Sequence, residues 1–343
     1  MEVVISYDNP RNVDEWNALC KGCGNFVQTT TQTSIDSLYR KRPIYIEVFD
    51  NEVLVGGVKL NIWMSSKFKV ILPSLSKTLS QFGEYIIDFN NSKYTYAIKL
   101  INDTIATLII DEKIVSLSVK GFYPTLYGSE TPLLYEDKSN KPISKTDFSI
   151  AYIDLHKSED DLYKCMHVKH RNMVNKALRE ELTFQELPCE PSILNLMLSE
   201  TYSQQGKHAP DKKYIEKVLN VGKEHAVGRL FVVKQDKNIL SSAYVQTYGK
   251  IADYSFGGNK KNDCGAGQFL QYEIFKALKN DGIEYYSLGQ VANGIDLNNI
   301  KFSEGITRFK MRFGCQTSSS HKALYVYDKK KHFIWNLLCR WFL

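Results

Sequence analysis

The stretch ADYSFGGNKKNDCGAGQFLQYEIFKALKNDGIEYYSLGQ, from Ala252 to Gln290, decides the fold. Its first residues, ADYSFGGN, alternate in polarity and predict a strand, and a glycine turn follows at Gly265 and Gly267. In the next segment, apolar residues recur at i, i+4, i+7 and i+8, which indicates a helix with one buried face. Asp281-Gly282 ends this helix, and a second strand follows. The order strand, glycine turn, helix, strand is typical of an α/β protein.

The glycine turn is a candidate anion site. Glycine has no Cβ, so backbone N–H groups can approach an anion closely, and the following helix directs its positive dipole end to the same place. Lys260 adds positive charge. A structural strand-to-helix turn with two glycines has the same pattern, so both interpretations stay open. The residues that we predict to bind phosphate are Lys261, Asn262, Gly265, Ala266, Gly267 and Gln268.

The composition is that of a soluble globular protein. The 343 residues are enough for two domains, and 43% of them are hydrophobic and 24% charged. The net charge of +6 permits an anionic ligand such as a nucleotide or tRNA without requiring one. We expect no DNA binding.

Cysteine and histidine are scattered along the chain. Cys20 and Cys23 form a lone CxxC without a second pair at zinc-ribbon spacing, so we expect no metal site. The first residues, MEVVISYDNP, show no signal-peptide pattern, and no segment reaches the ~20 apolar residues of a membrane span. A reducing, cytoplasmic location is therefore the expectation.

A polar segment containing proline, Tyr135–Asp147, predicts a domain boundary. We expect an N-terminal unit over residues 1–147, a C-terminal unit over 148–326 and a basic-aromatic tail over 327–343. In the N-terminal unit the predicted order is strand, two helices, a hairpin, helix and strand, and the stretch Ser74–Gly83 is polar and ends in glycine.

The C-terminal unit opens with a strand, and one helix is then predicted from Ser158 to about Glu180. One face of this helix is apolar. The opposite face carries a mostly basic stripe, which is either a solvated surface or an anion-binding wall. Its members are Lys164, His167, Arg171 and Asn175.

Five places together resemble the FemAB-like branch of the GNAT acyltransferase superfamily. In chain order they are NFVQTT (25–30), VFDNEVLVGGV (48–58), YIDL with KHRNMVNKAL (152–178), the glycine turn with its flanking strands, and ITRFKMRFG (306–314). The resemblance implies an α/β (α+β) fold of two tandem GNAT-like units, whose mixed, mostly antiparallel sheets are flanked by helices.

The resemblance also implies an activity. The protein would be an N-acyltransferase that moves an acyl or aminoacyl group onto an amine of a cell-envelope precursor, from peptidoglycan or a surface polysaccharide. Acyl-CoA or aminoacyl-tRNA would be the donor substrate, and no cofactor would be bound permanently. The implied acceptor is a nucleotide- or lipid-linked saccharide or peptide.

Of two departures from the family pattern, the first weakens the case for CoA as the donor, and the second leaves another interpretation of the function open. Asn262 stands where the family's CoA loop has Gln or Arg, and Ser287-Leu288-Gly289-Gln290 stands where the family often has Asp-Leu-Gly-Gly. A catalytically inactive GNAT-fold module that binds an envelope precursor or a partner protein is therefore the alternative.

The resemblance places Lys310 at the reaction centre. Phe309 and Phe313 flank it and can desolvate its ammonium group, which would then stabilise an oxyanion. Alternatively, Lys310 lies on the solvent face of a strand that ends at Gly314. Asp253 is the candidate proton acceptor, although a surface position suits it equally. The residues predicted to bind substrate are Arg171, Lys164, His167, Gln28, Tyr254 and Phe309.

The last stretch, KKKHFIWNLLCRWFL (329–343), is basic and then aromatic. It suits an interfacial helix behind a lysine cluster, which would attach the protein to the inner face of the membrane. It equally suits a final helix packed on the body of the protein, with Trp335, Leu338 and Trp341 docked on the N-terminal half.

Overall fold

The structure is a computed structural model that describes residues 1–64, 73–124, 133–292 and 305–342. The chain forms two compact units, Met1–Phe148 together with Ser319–Leu343, and Ser149–Ser318. The first boundary lies one residue beyond the predicted one. Residues 319–343 belong to the first unit, whereas the sequence divided them between the C-terminal unit and a separate tail.

The elements alternate between strands and helices along the chain. The first unit begins with β1 (Glu2–Tyr7), α1 (Val13–Gly22), α2 (Thr30–Asp36), β2 (Arg42–Asp50), β3 (Val53–Trp63), α3 (Pro73–Ser76), β4 (Thr78–Phe82), β5 (Ile86–Ile87), α4 (Tyr94–Asp111) and β6 (Ser116–Lys120). Single 3-10 turns lie at Phe26–Gln28 and Ser37–Tyr39.

The chain enters the second unit within β7 (Ser144–Asp154) and returns to the first within β13. Between them lie α5 (Glu159–Cys165), α6 (Val168–Arg179), β8 (Thr183–Leu187), α7 (Pro191–Gln204), α8 (Lys212–Glu224), β9 (Gly228–Gln235), β10 (Asn238–Tyr248), β11 (Ile251–Asn259), α9 (Ala266–Asn280), β12 (Tyr285–Val291) and α10 (Gly305–Met311). The last elements are β13 (Gln316–Val326) and α11 (Lys329–Phe342).

The two units have the same strand pattern. The order is β1-β2-β3-β4-β6-β13 in the first unit, with β5 beside β3, and β8-β9-β10-β11-β12-β7 in the second. In each order the fourth and fifth strands run parallel, and the other neighbours in the order are antiparallel. The prediction of tandem units with mixed, mostly antiparallel sheets flanked by helices is confirmed.

Each unit has its own apolar core. In the first unit, α4 buries Ala97, Ile101, Ile105 and Leu108, which lie on one face of the helix. In the second, α9 buries Phe269, Leu270, Ile274, Phe275 and Leu278. Helix α9 is the one predicted from the opening stretch, and Asp281 follows its last residue as expected.

Strand β4 lies in the polar stretch Ser74–Gly83, for which the sequence analysis predicted no strand. Its two buried positions are Leu79 and Gln81. Gln81 is satisfied by hydrogen bonds to the main chain, since its Oε1 accepts from Tyr135 N at 2.9 Å and its Nε2 donates to Gly83 O at 3.0 Å. A buried polar residue hides the apolar alternation that identifies a strand.

The helix predicted from Ser158 to Glu180 is wrong as one element, because it breaks after Cys165. Met166 is extended, and His167 is the N-cap of α6, where its Nδ1 accepts from Lys169 N at 3.1 Å. The basic stripe is therefore discontinuous, with Lys164 on α5 and Arg171 on α6. Among the described residues, no helix combines the length and apolar content that crossing a membrane requires.

Candidate active site

Strands β11 and β12 diverge at the centre of the second unit. They are paired in parallel over three residue pairs, from Ile251–Tyr285 to Asp253–Ser287, although both strands continue further. The pairing of β11 with β10 is irregular next to Ser255, and that of β12 with β7 is irregular next to Gly289. Bulges redirect side chains, and ligand sites form at the carboxyl ends of such strands.

Asp253 lies at this point of divergence and is only 4% exposed. The hydroxyl of Ser255 donates to Asp253 Oδ2 at 3.1 Å, and Ser287, which pairs with Asp253 across the two strands, brings a second hydroxyl near the carboxylate. Burial raises the pKa of Asp253 to about 6, although the two hydroxyls and the nearby Lys310 ammonium act in the opposite direction. The alternative of a surface position for Asp253 is therefore wrong.

Lys310 lies on α10, so the alternative of an exposed strand is also wrong. Its Nζ donates to the carbonyl oxygen of Gln290 at 3.2 Å. Gly289, with φ +76°, lies beside it, since a Cβ there would be 3.6 Å from Nζ. Burial lowers the pKa of Lys310, while Asp253 and Cys315 raise it. The structure thus places the two predicted catalytic residues near enough for each to shift the pKa of the other.

His170 on α6 holds the segment that carries Lys310. Its Nε2 lies 2.9 Å from the carbonyl oxygen of Phe309, which can only accept, so this nitrogen carries the hydrogen. The imidazole packs against the rings of Phe309 and Phe313, with centroids 5.4 and 4.5 Å away. Burial lowers the pKa of His170 to about 4, so it is neutral at pH 7. Sequence reasoning missed His170, because one histidine in a basic run carries no signal of its partners.

The RFKMRFG motif ends in Gly314 at a position where packing requires glycine. Its φ is +77°, and a Cβ there would lie 2.5 Å from the carbonyl oxygen of Cys165. Close packing of this turn against the end of α5 therefore requires glycine. The main-chain hydrogen bond from His167 N to Arg312 O, at 2.8 Å, fixes the same contact.

The glycine turn lies at a helix N-terminus, as predicted. Gly265, with φ +83°, is the N-cap of α9, and within the described part of the chain no side chain caps this end. A Cβ on Gly265 would lie 2.4 Å from Met173 O, and one on Gly267 would lie 2.8 Å from Asn259 Oδ1. Packing therefore requires glycine at 265 whether or not an anion binds, and a Cβ at 267 would displace the Asn259 side chain.

The other predicted loop residues differ in accessibility. Asn262 closes the turn internally, since its Nδ2 donates to Lys260 O at 2.8 Å and its Oδ1 accepts from Cys264 Sγ at 3.2 Å. Ala266 is fully buried and Gln268 is half-buried. Lys261 is exposed, which leaves its side chain accessible to an anion.

The predicted acceptor wall has a structural role at the junction of α5 and α6. Arg171 Nη1 donates to the carbonyl oxygens of Lys164 and Met166, at 2.9 and 2.7 Å. These bonds satisfy carbonyl groups at the end of α5. Lys164 itself is exposed, and His167 caps the next helix.

Of two further predicted substrate-binding residues, Gln28 lies outside this site and Tyr254 lies beside Asp253. Gln28, in the first unit, is fully buried; its Oε1 accepts from Lys59 N and its Nε2 donates to Phe82 O at 2.9 Å. It ties β3 to β4 and presents no surface to a substrate. Tyr254, next to Asp253, is half-buried, and burial raises the pKa of its hydroxyl to about 12.

Comparison with known proteins establishes the fold. No family model and no curated protein sequence matches the chain. Its structure matches that of FemX with a TM-score of 0.71 and 15% identity, over 97% of this chain and 99% of that one. This chain has the FemX fold. The fold that the FemAB-like resemblance implied is therefore confirmed.

Two further solved structures share the fold at lower similarity. L-PGS from Bacillus licheniformis matches with a TM-score of 0.52 and 12% identity, over 97% of this chain and 96% of that one. The C-terminal domain of a protein described as a lysylphosphatidylglycerol synthetase from Agrobacterium fabrum matches with a TM-score of 0.53 and 12% identity. The match covers 94% of this chain and 93% of that one.

Proposed function

We propose that the chain is an N-acyltransferase with Lys310 and Asp253 at its reaction centre. The observation that carries this proposal is that the half-buried Lys310 ammonium lies near the buried Asp253 carboxyl where β11 and β12 diverge. Both groups are desolvated and each shifts the pKa of the other, an arrangement typical of sites that move protons.

The proposed reaction forms a C–N bond between an acceptor amine and the carbonyl carbon of the acyl group. The Lys310 ammonium stabilises the oxyanion that develops on the carbonyl oxygen. Asp253 accepts the amine proton, directly or through the Ser255 hydroxyl, which lies 3.1 Å from its carboxylate. Breakdown of the tetrahedral intermediate cleaves the bond to the leaving group, which takes up the proton.

For the donor, the proposal favours aminoacyl-tRNA over acyl-CoA. The uncapped N-terminus of α9 and the exposed Lys261 suit a phosphodiester or a pyrophosphate equally. Asn262 stands where the CoA loop has Gln or Arg, and its side chain is already used within the turn. A structural neighbour described as a lysylphosphatidylglycerol synthetase is consistent with an aminoacyl donor. The proposed acceptor is an amine of a nucleotide- or lipid-linked cell-envelope precursor.

The test is an activity screen that reads product mass. The full chain is incubated with charged tRNA or with acyl-CoAs, and with UDP-linked or lipid-linked precursors that carry a free amine. We expect a product heavier by one acyl or aminoacyl group, and a loss of at least about 100-fold in turnover for Lys310→Ala. Lys237→Ala, in an exposed turn of the same unit, is the matched control.

The screen also decides between the two interpretations. Binding of a precursor without any product, from either class of donor, would overturn the proposal in favour of an inactive binding module. Unchanged turnover in Lys310→Ala would remove Lys310 from the reaction.

A further inference from the structure

The first unit contains a cavity of its own, with a volume of about 300 Å³. It lies where the parallel pair β4 and β6 ends, since that ladder closes at Phe82–Lys120 and both Glu84 and Tyr123 line the cavity. The carboxyl ends of parallel strands are a common place for ligand sites.

The lining is apolar and acidic. Tyr85, Ile87, Phe89 and Leu133 are among its apolar members, and Glu84 and Asp88 are its acidic ones. Of the described residues that line it, none is Lys, Arg or His. A cation with an apolar body therefore matches the walls better than an anion does.

Glu84 is the central polar group of the cavity and is 8% exposed. Its Oε1 accepts from Phe122 N at 3.0 Å, and its Oε2 accepts from Tyr123 N at 3.1 Å. A carboxylate has about four lone-pair sites, so each oxygen can accept again. In the described part of the chain Glu84 forms no ion pair, and burial raises its pKa to about 7 although the two N–H groups lower it.

Asn25 supplies a second unused acceptor. It lines the cavity, is 3% exposed, and donates from Nδ2 to the main-chain carbonyl oxygen of Glu84 at 3.0 Å. This bond fixes the orientation of the amide. Its Oδ1 is buried and has no hydrogen-bond partner among the described residues. A buried acceptor without a partner is costly, and a ligand donor that reaches Oδ1 through a small shift of the cavity wall would remove that cost.

We infer that this cavity is a second ligand site, which takes a primary ammonium carried on a short apolar chain or ring. The three N–H donors of the ammonium meet the Glu84 carboxylate and the Asn25 Oδ1, and the apolar body lies against the aromatic and aliphatic walls. The site is separate from Lys310 and does not depend on the proposed acyl transfer.

The probe that tests this inference is 2-phenylethylamine, with 2-phenylethanol as its neutral match. Calorimetric titration of the full chain at pH 8 should show binding of the amine and none of the alcohol. At pH 6 Glu84 is mostly protonated and cannot pair with the ammonium, so the amine affinity should fall about tenfold. Equal binding of the two compounds, or no binding of the amine at millimolar concentration, would contradict the inference that the cavity binds an ammonium group.

Two variants locate the binding. Gly22 lines the cavity at the end of α1, and a Cβ there would meet no atom within 4 Å. Gly22→Phe should therefore fill the mouth and abolish amine binding without disturbing the fold, whereas Gly22→Ala should bind normally. Unchanged binding in Gly22→Phe would place the amine elsewhere.

The second variant is Glu84→Gln, compared with Glu47→Gln. Glu47 is a fully buried carboxyl of the same unit that accepts from Ser6 Oγ and Arg11 N and does not line the cavity. Amine binding and its pH dependence should be lost only in Glu84→Gln. Retained binding in a folded Glu84→Gln protein, judged by its thermal unfolding, would contradict the inference.

Discussion

Asp253 changes charge near pH 6, because burial raises its pKa. A carboxyl that accepts the amine proton must be ionised, so we expect turnover to fall as the pH drops below about 6. Asp253→Asn should lower turnover and remove this dependence. The measurement is kcat/KM between pH 5 and 8, and Asp236→Asn, in an exposed turn, is the control. A wild-type pH profile in Asp253→Asn would exclude Asp253 as the base.

The same carboxyl should lower the stability of the fold. Its folded-state pKa of about 6 lies above the unfolded value of about 3.9, so the folded protein binds the proton more tightly. The stability that this tighter proton binding contributes is fully present below pH 4 and is lost as the pH rises through 6. Asp253→Asn should thus gain at most about 3 kcal/mol in free energy of unfolding at pH 7, and nothing at pH 4. Urea unfolding at both pH values measures this, and a gain at pH 4 would contradict it.

At the residue scale, the sequence predicted side chains but not their partners. Lys310 was a candidate because of the family resemblance, and Asp253 because it lies on the strand before the glycine turn. Ser255 and His170 were missed, because their roles depend on pairing between distant segments. Ser255 bonds Asp253 at an irregularity in the β10–β11 pairing, and His170 bonds Phe309 across 139 positions of sequence.

Arg171 shows how the break between α5 and α6 changes a prediction. Its guanidinium bonds two main-chain carbonyl oxygens at the end of α5. Arg171→Ala should lower the free energy of unfolding by about 1–3 kcal/mol, since charged hydrogen bonds are lost. Lys169→Ala, an exposed neighbour on the same helix, should leave it unchanged. If Arg171→Ala raises the KM of a phosphorylated acceptor and leaves stability unchanged, the predicted acceptor contact holds and the capping role does not.

The N-terminus of α9 permits a test of donor binding that avoids the glycines. Gly267→Val would displace Asn259 and damage packing with or without a donor site. Lys260→Ala combined with Lys261→Ala removes charge alone, so the KM for the donor should rise several-fold while kcat stays unchanged. The effect should shrink at high salt, because exposed charges are screened. An unchanged donor KM at low salt would leave the turn as a structural feature only.

The sequence predicted those helices and strands whose pattern lies within a few neighbouring residues. The α9 segment has an apolar face and its end at Asn280 is correct, whereas the helix begins at Ala266, within the predicted glycine turn. The segment around Lys310 was open to interpretation as a strand, and β4 was missed, because Gln81 is buried in place of an apolar residue. The break at Met166 is invisible in the periodicity, since it is stabilised by the contact between His167 and Arg312.

At the scale of the whole molecule, the order of elements predicted two similar units although no residue repeat exists. What the sequence could not show is the origin of the sixth strand of the first unit. β13 completes the first unit although it follows all the strands of the second, whereas β7 belongs to the second unit's own consecutive run. Such long-range pairing leaves no local signal, which is why residues 319–326 were assigned to the other unit.

The last helix, α11, packs on the first unit and also presents an apolar surface. The ring of Trp335 lies 5.8 Å from that of Trp63, as the packed alternative predicted; the side chain of Trp341 lies outside the described residues. Phe333, Ile334 and Leu337 are 68%, 42% and 46% exposed. They follow the lysines at 329–331, so we propose that this face binds anionic membrane reversibly, with each lysine contributing about 1 kcal/mol.

Deleting α11 cannot test this proposal, because the deletion removes the Trp335–Trp63 contact together with the exposed face. Phe333→Ser combined with Leu337→Ser changes only exposed positions, so it should abolish sedimentation with phosphatidylglycerol vesicles and leave the melting temperature unchanged. Trp335→Ala should do the reverse, lowering the melting temperature while the remaining folded protein still binds. Neutral phosphatidylcholine vesicles should bind neither the wild-type protein nor the variants, because their surface has no net negative charge to attract the lysines. Sedimentation of the double variant at the wild-type level would show that this face does not contact the membrane.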